Sequence, residues 1–291
     1  MYNLLYLVPK NWLSRAVGVV MERRWPLGLH TVIRDAMIRA FKPVIDEAEF
    51  PLDHYKTWSE FFVRRLKPGA RVIGASPLIC PVDGTLTQRG LLAGPDARLT
   101  QVKGVTYTLK GLLGSLDPRA TKAYEGGSFL TVYLAPYNYH RIHSAAAGRV
   151  TAARHVPGAL WPVNVWSVQN IRDLFVRNDR IVVEMESPFE DGSGTLGRWA
   201  IALIGATNVG RTTLAFSNLH ANDPAARSGV VREIPVGDSL RLGKGDELAC
   251  FEMGSTIVLV LDAAWTARLR PGLLTSADPV TVRLGQDFAI L

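Results

Sequence analysis

The sequence predicts an α+β protein, with a helical N-terminal layer set on a β-rich body of mainly antiparallel sheets or a sandwich. Three observations predict it. Apolar residues recur at three- and four-residue spacing as far as about residue 46. From about residue 72 short runs rich in β-branched and aromatic residues replace them. Gly, Pro and Asp turn signals divide those runs, with little room for helices between them. The division predicts a helical layer over 1–70 and a β-rich body over 71–291.

Within the first part, Trp12-Leu13-Ala16-Val17-Val20-Met21 and Leu29-Val32-Ile33-Ala36-Met37-Ala40-Phe41 each trace one helix face, with Pro26 and Pro43 as punctuation. Thr57-Trp58-Ser59-Glu60 places a hydroxyl three residues before a glutamate, the pattern of a capping box, so a short helix is expected over 57–65. Strands are expected at Phe129–Leu134, Val150–Val156, Arg180–Met185, Trp199–Ile204, Thr212–Phe216, Ile257–Leu261 and Val280–Arg283. A short helix around Leu109-Lys110-Gly111-Leu112-Leu113 interrupts them. Neither a dinucleotide-binding glycine fingerprint, nor a phosphate loop, nor a repeat of fixed period is present.

Net charge is +7, and its placement says more than its size. Residues 1–24 carry Lys10, Arg15, Arg23 and Arg24 against Glu22, and residues 56–72 carry Lys56, Arg64, Arg65, Lys67 and Arg71 against Glu60. Both stretches mix these cations with Trp, Phe and Leu, which suits a helix lying on anionic lipid and equally an ordinary core-facing helix with a basic outer side. No nucleic-acid-binding motif accompanies the charge, so nucleic acid is not expected as a partner. The apolar N-terminus is broken by Pro9-Lys10-Asn11 and Arg15, too short an apolar run to span a bilayer. Its basic residues follow the apolar run, the reverse of a secretory signal. Two cysteines, Cys80 and Cys250, read as buried fillers of a protein in a reducing compartment.

Three places carry candidate chemistry. Pro81-Val82-Asp83-Gly84-Thr85 puts a carboxylate beside an apparent turn. Tyr139-His140-Arg141-Ile142-His143 holds two histidines three apart; with no further ligand at metal spacing, a general base is expected and a metal is not. Gly254-Ser255-Thr256 puts a hydroxyl after a residue with no Cβ to shield its carbonyl, just before an apolar strand. Asp83, His143 and Ser255 together supply orienting acid, base and nucleophile. They suit self-cleavage at Gly254-Ser255 or a serine hydrolase that stays uncut, although Met253-Gly254-Ser255-Thr256-Ile257 is not a nucleophile elbow. A membrane-bound β-sandwich binding module, with Gly254-Ser255-Thr256 as a mere turn, is the third reading.

Further segments follow in a set order: Trp58-Ser59-Glu60-Phe61-Phe62-Val63-Arg64, Pro81-Val82-Asp83-Gly84, Tyr133-Leu134-Ala135-Pro136 and Val156-Pro157-Gly158-Ala159-Leu160. Val163-Asn164, Leu174-Phe175, Asn178-Asp179-Arg180, Ile204-Gly205-Ala206 and Gly254-Ser255-Thr256 continue the series. With these, the chain resembles the prokaryotic-type, pyruvoyl-dependent phosphatidylserine decarboxylase proenzymes over nearly its full length. Departures are small: Met253 replaces a leucine, and Ser144-Ala145 lacks a proline often found after the second histidine. The resemblance implies cleavage between Gly254 and Ser255, conversion of Ser255 to a pyruvoyl cofactor, and decarboxylation of phosphatidylserine to phosphatidylethanolamine. It assigns Asp83 and His143 to activating Ser255, and it leaves His140 and Arg141 as substrate-binding candidates. It implies a peripheral protein on the cytoplasmic side of the cell membrane, with 1–70 as the membrane-docking layer and 71–291 as the catalytic body, whose partners are the phospholipid substrate and its own chains 1–254 and 255–291. A homodimer is compatible with it.

Overall fold

The computed structural model describes residues 10–92, 97–102, 105–115, 117, 119–163, 165–189, 192, 194–207, 211–223, 229–252, 256–276 and 278–290. The first two helices among the described residues, α1 (Lys10–Glu22) and α2 (Leu29–Phe41), are amphipathic and are separated by a 3-10 turn at Pro26–Gly28. The short helix α3 (Trp58–Phe62) starts from the expected capping box: Glu60 N donates to Thr57 Oγ1, and Thr57 N donates to the Glu60 carboxylate. Tyr55, Trp58, Phe61 and Phe62 bury against Met37 and Phe41, giving the helical layer a small core of its own. Val19, Val20, Leu29 and Val32 stay exposed on α1 and α2.

Among the described residues the body holds three antiparallel sheets. The strands are β1 (Gly84–Leu91), β2 (Arg98–Val102), β3 (Val105–Thr108), β4 (Ser128–Tyr133), β5 (Arg141–His143), β6 (Gly148–Val156), β7 (Arg180–Pro188), β8 (Leu196–Ile204) and β9 (Thr212–Leu214). They continue as β10 (Ser217–His220), β11 (Arg232–Ile234), β12 (Arg241–Leu242), β13 (Glu247–Phe251), β14 (Thr256–Leu261) and β15 (Val280–Val282). The large sheet runs β11-β6-β7-β8-β14-β4-β1-β15 with β12 beside β6; a smaller one runs β10-β9-β13-β5, and β2-β3 form a hairpin. The expected helix at Leu109–Leu113 is present; Thr108 caps its start, and Gly114 closes it in the left-handed conformation.

Strand β14 shows why an apolar run here is continuous and not alternating. Both its faces are buried: Ile257, Leu259 and Leu261 point into the core between the two sheets, Val258 and Val260 into the core beneath Leu112, Phe175 and Tyr107. The register places Thr85, Tyr133, Thr256, Ile204, Arg180 and Val156 in one row across the large sheet. Segments next to that row, Asp83-Gly84, Gly205-Ala206, Asn178-Asp179 and Pro157-Gly158, therefore leave the sheet at one end.

Candidate active site

At that end, Asp83 precedes β1. Gly84 is strand, not turn, which corrects the sequence expectation: a Cβ there would lie 2.5 Å from the Tyr133 carbonyl oxygen, so glycine is required by the close approach of β4. Asp83 is buried, and its carboxylate is gripped by Arg71. The guanidinium Nε donates to Oδ1 at 2.9 Å and Nη2 donates to Oδ2, while Leu284 N donates to Oδ1 at 2.9 Å. The same Arg71 donates to Glu47 Oε2 at 2.7 Å and to the Ala70 carbonyl. These bonds push the Arg71 guanidinium's pKa above its usual value, so its charge is permanent.

His143 lies on β5 with its backbone N–H on the Pro81 carbonyl, two residues from Asp83. Its ring is held differently from the sequence expectation: Asp83 bonds Arg71 and Leu284, and its charge reaches His143 only through space. His143 Nδ1 sits 2.7 Å from the Gly245 carbonyl, which can only accept, so Nδ1 carries the proton. The lone pair is then on Nε2, where Tyr139 OH donates to it at 3.1 Å. Burial lowers the His143 pKa, with the Gly245 bond opposing it, so the ring is a free base at neutral pH.

His140 repeats this tautomer deeper in the protein. It is fully buried, stacked on Phe62 with ring centroids 3.9 Å apart, and its Nδ1 donates to the Asn138 carbonyl at 2.9 Å. Burial, with the Arg64 charge adding to it, pushes its pKa down to about 3. Its Nε2 is buried and has no partner among the described residues. The His140 carbonyl accepts from Phe251 N, so this imidazole lies at the β13 end that leads toward the cleavage segment, whereas His143 pairs with Glu247 at the other end. Arg141 is tied to Glu247 Oε1 at 2.5 Å and to the Val63 carbonyl at 2.9 Å. It lines a cavity of about 390 Å³ with Glu60, Arg211, Cys250 and Glu252, the last described residue before the cleavage segment.

Met253, Gly254 and Ser255 lie outside the described residues. What brackets them is described: Glu252 N donates to the Arg211 carbonyl, and Thr256 pairs with Tyr133 on one side and Ile204 on the other. Thr256 and Thr85 flank Tyr133, two strand spacings or about 10 Å apart. Sequence reasoning missed Arg71, Glu47 and the Gly245 carbonyl. Tyr139 was legible as the residue four before His143 in its motif, but no spacing ties Arg71 to Asp83.

A family model described as phosphatidylserine decarboxylase matches residues 58–289. A phosphatidylserine decarboxylase proenzyme of Anaeromyxobacter sp. (strain K) is 41% identical over 98% of this chain and 96% of its own length. One of Myxococcus xanthus is 34% identical over 99% and 97%. The mitochondrial proenzyme 1 of Oryza sativa subsp. japonica is 33% identical over 99% of this chain and 77% of its own. With the matched region spanning both the helical layer's last helix and the whole sheet end just described, the chain belongs to the phosphatidylserine decarboxylase family.

Proposed function

We propose that this chain is a proenzyme that cuts itself between Gly254 and Ser255, turns Ser255 into a pyruvoyl group, and then decarboxylates phosphatidylserine to phosphatidylethanolamine. The observation that carries the reading is that β5 is tied both to the segment just before Asp83, through His143 N on the Pro81 carbonyl, and to the strand that leads into the cleavage segment, through Phe251 N on the His140 carbonyl. In cleavage, His143 Nε2 takes the Ser255 hydroxyl proton as that oxygen attacks the Gly254 carbonyl, shifting the acyl group from nitrogen to oxygen. Elimination then breaks the Cβ–Oγ bond and releases the Gly254 carboxylate; the dehydroalanine left behind is hydrolysed to the pyruvoyl group and ammonia. Asp83 supplies the negative field that favours protonated His143, and Tyr139 OH yields its place on Nε2.

The site fits a pyruvoyl group, because a buried, unpartnered imidazole nitrogen on His140 and the free base of His143 stand ready for a small polar group. That group supplies an electrophilic carbonyl that takes up the electrons released as carbon dioxide leaves. His143 Nε2 returns the proton to the substrate carbon, while His140 and Arg141 border the headgroup. Chains 1–254 and 255–291 remain together, since β14 lies between β8 and β4 and β15 pairs with β1. No helix among the described residues is long and apolar enough to cross a membrane. Exposed Val19, Val20, Leu29 and Val32 beside Arg23 and Arg24 support docking on anionic lipid, and two free buried cysteines support the cytoplasmic side.

Intact mass of the purified protein tests the reading. Two chains are expected, the shorter without a free amino terminus, together with carbon dioxide release from phosphatidylserine and none from free serine. Ser255→Ala is expected to stay whole, and His143→Ala and Asp83→Asn to stall cleavage. A wild-type chain that stays whole while hydrolysing esters would replace this reading with a serine hydrolase.

A further inference from the structure

Among the described residues, four arginines have almost no exposed surface: Arg34, Arg64, Arg154 and Arg180. Three are saturated. Arg34 bonds Asp35 and the Leu52 and Tyr55 carbonyls, Arg154 bonds Glu184, Glu233 and the Leu113 carbonyl, and Arg180 bonds four backbone carbonyls. Arg64 is different. At 4% exposure it donates once, from Nη1 to the Phe61 carbonyl at a marginal 3.4 Å, and its guanidinium lies 4.6 Å from the centre of the Phe61 ring. Its Nε is buried with no partner, and no carboxylate pairs with it among the described residues.

A buried guanidinium without a counter-charge is costly unless an anion completes it. Arg64 lines a cavity of about 210 Å³ together with Lys42, Arg71 and Arg283, against only Glu47 and Asp83. Both of those carboxylates already bond Arg71, so the cavity keeps an uncompensated positive charge. Burial lowers the Arg64 pKa, with Tyr55 and the more distant charges of Asp83 and Glu47 opposing it. The cavity adjoins the reaction site: Phe62, two residues before Arg64, stacks on His140, and Asp83 and Tyr139 form part of its wall. Exposed Val44 and Tyr137 line it as well, apolar groups suited to contact with lipid.

We propose that Arg64 is the anion subsite for the lipid headgroup and that its occupant is the phosphodiester. The inference rests on the decarboxylase reading above and adds the group that recognises the substrate. A phosphodiester offers the guanidinium two oxygens in matching geometry and keeps its charge throughout the reaction. The carboxylate loses its charge as carbon dioxide forms, so an arginine clamped on it would hold the ground state and slow the step. Only the serine Cβ and its oxygen separate the phosphorus from the reacting carbon, which makes one site beside His140 and Asp83 sufficient for both.

Competition on the mature wild-type enzyme, assayed with phosphatidylserine in vesicles, distinguishes the two anions. Glycerophosphoethanolamine, which has the phosphodiester and amine but no carboxylate, is expected to compete at least tenfold better than serine. Serine competing as well or better would place the carboxylate there and overturn the proposal. In matured Arg64→Met, KM is expected to rise about 10- to 100-fold with inhibition by glycerophosphoethanolamine lost. Wild-type KM and wild-type inhibition in that variant would also overturn it. Should Arg64→Met not mature, Arg64→Lys keeps the charge without the fork, and its KM is expected to rise severalfold; an unchanged KM counts against the subsite. A wild-type chain that neither cuts itself nor releases carbon dioxide defeats the decarboxylase reading, whereas the competition and KM results bear on Arg64 alone.

Discussion

Replacing Arg71 with methionine removes the clamp on Asp83 while keeping most of the side-chain volume. Both partners are dry, with side chains 9% and 8% exposed, and the guanidinium meets both carboxylate oxygens. Breaking a buried pair by removing one partner costs about 3–5 kcal/mol, because the remaining charge stays buried. After Arg71→Met, Asp83 retains only the Leu284 N–H. Asp83→Asn is milder, at about 1–3 kcal/mol, since Arg71 keeps Glu47 and asparagine can still accept from Leu284. If the two residues act as one clamp, the double variant costs about 2 kcal/mol less than the sum of the singles. All four proteins should carry Ser255→Ala, so that each is a single chain, and urea unfolding should be followed for each. The Arg71→Met loss corresponds to a melting decrease of roughly 6–20 °C. Additivity within about 0.5 kcal/mol, or an Arg71→Met cost below about 1 kcal/mol, would show that the clamp does not hold Asp83 and that the site is ordered by something else.

Two further outcomes follow from the same geometry. His140 titrates near 3 in the folded protein and His143 below its ordinary value, so below about pH 6.5 the unfolded chain binds protons that the native state refuses. Stability is therefore full above that pH and is lost on acidification toward the folded values, at about 1.4 kcal/mol per pH unit per histidine. The melting temperature of Ser255→Ala between pH 7.5 and 4.5 should fall along this slope, and His140→Gln should flatten it; an identical slope in both would exclude His140 as the source. Gly84→Ala drives a methyl group into the Tyr133 carbonyl and Val132 Cγ1, at 2.5 and 2.7 Å, and should destabilise by about 1–3 kcal/mol or more. Denaturant midpoints for Gly84→Ala against wild type measure this, and an unchanged midpoint would mean that β1 and β4 are not locked at this row.

Much of the architecture was readable because burial writes itself into local pattern. The apolar run 257–261 reads as an interior strand, and Thr57 with Glu60 reads as a capped helix, because each signal lies within a few residues. Short edge strands did not announce themselves: β5, β11 and β12 have two or three residues each, too few to show a period. Asp83-Gly84 looked like a turn because the dipeptide carries no record of Tyr133, whose carbonyl is what excludes a side chain there. Asp83-Gly84, Asn178-Asp179-Arg180, Ile204-Gly205 and Thr256 have a common cause despite their distance in sequence, since antiparallel register returns each of them to the same sheet end. Arg71 had no such signal. Its role comes from a pairing across twelve residues, and a basic segment gives no hint which of its cations turns inward.

That pairing bears on how the helical layer and the catalytic body relate. The expected division near residue 70 follows composition, yet the site is built across it. Arg71 joins Glu47 to Asp83, Phe62 stacks on His140, and the Val63 carbonyl accepts from Arg141. Each contact fixes a group near the chemistry from a residue in or next to the layer. A layer that served only to dock on lipid could be tethered loosely; one that sets the place of an imidazole and a carboxylate must be packed against them. The helical layer and the imidazole are therefore linked by geometry, because a shift of α3 is passed to His140 through Phe62 and to Arg141 through the Val63 carbonyl.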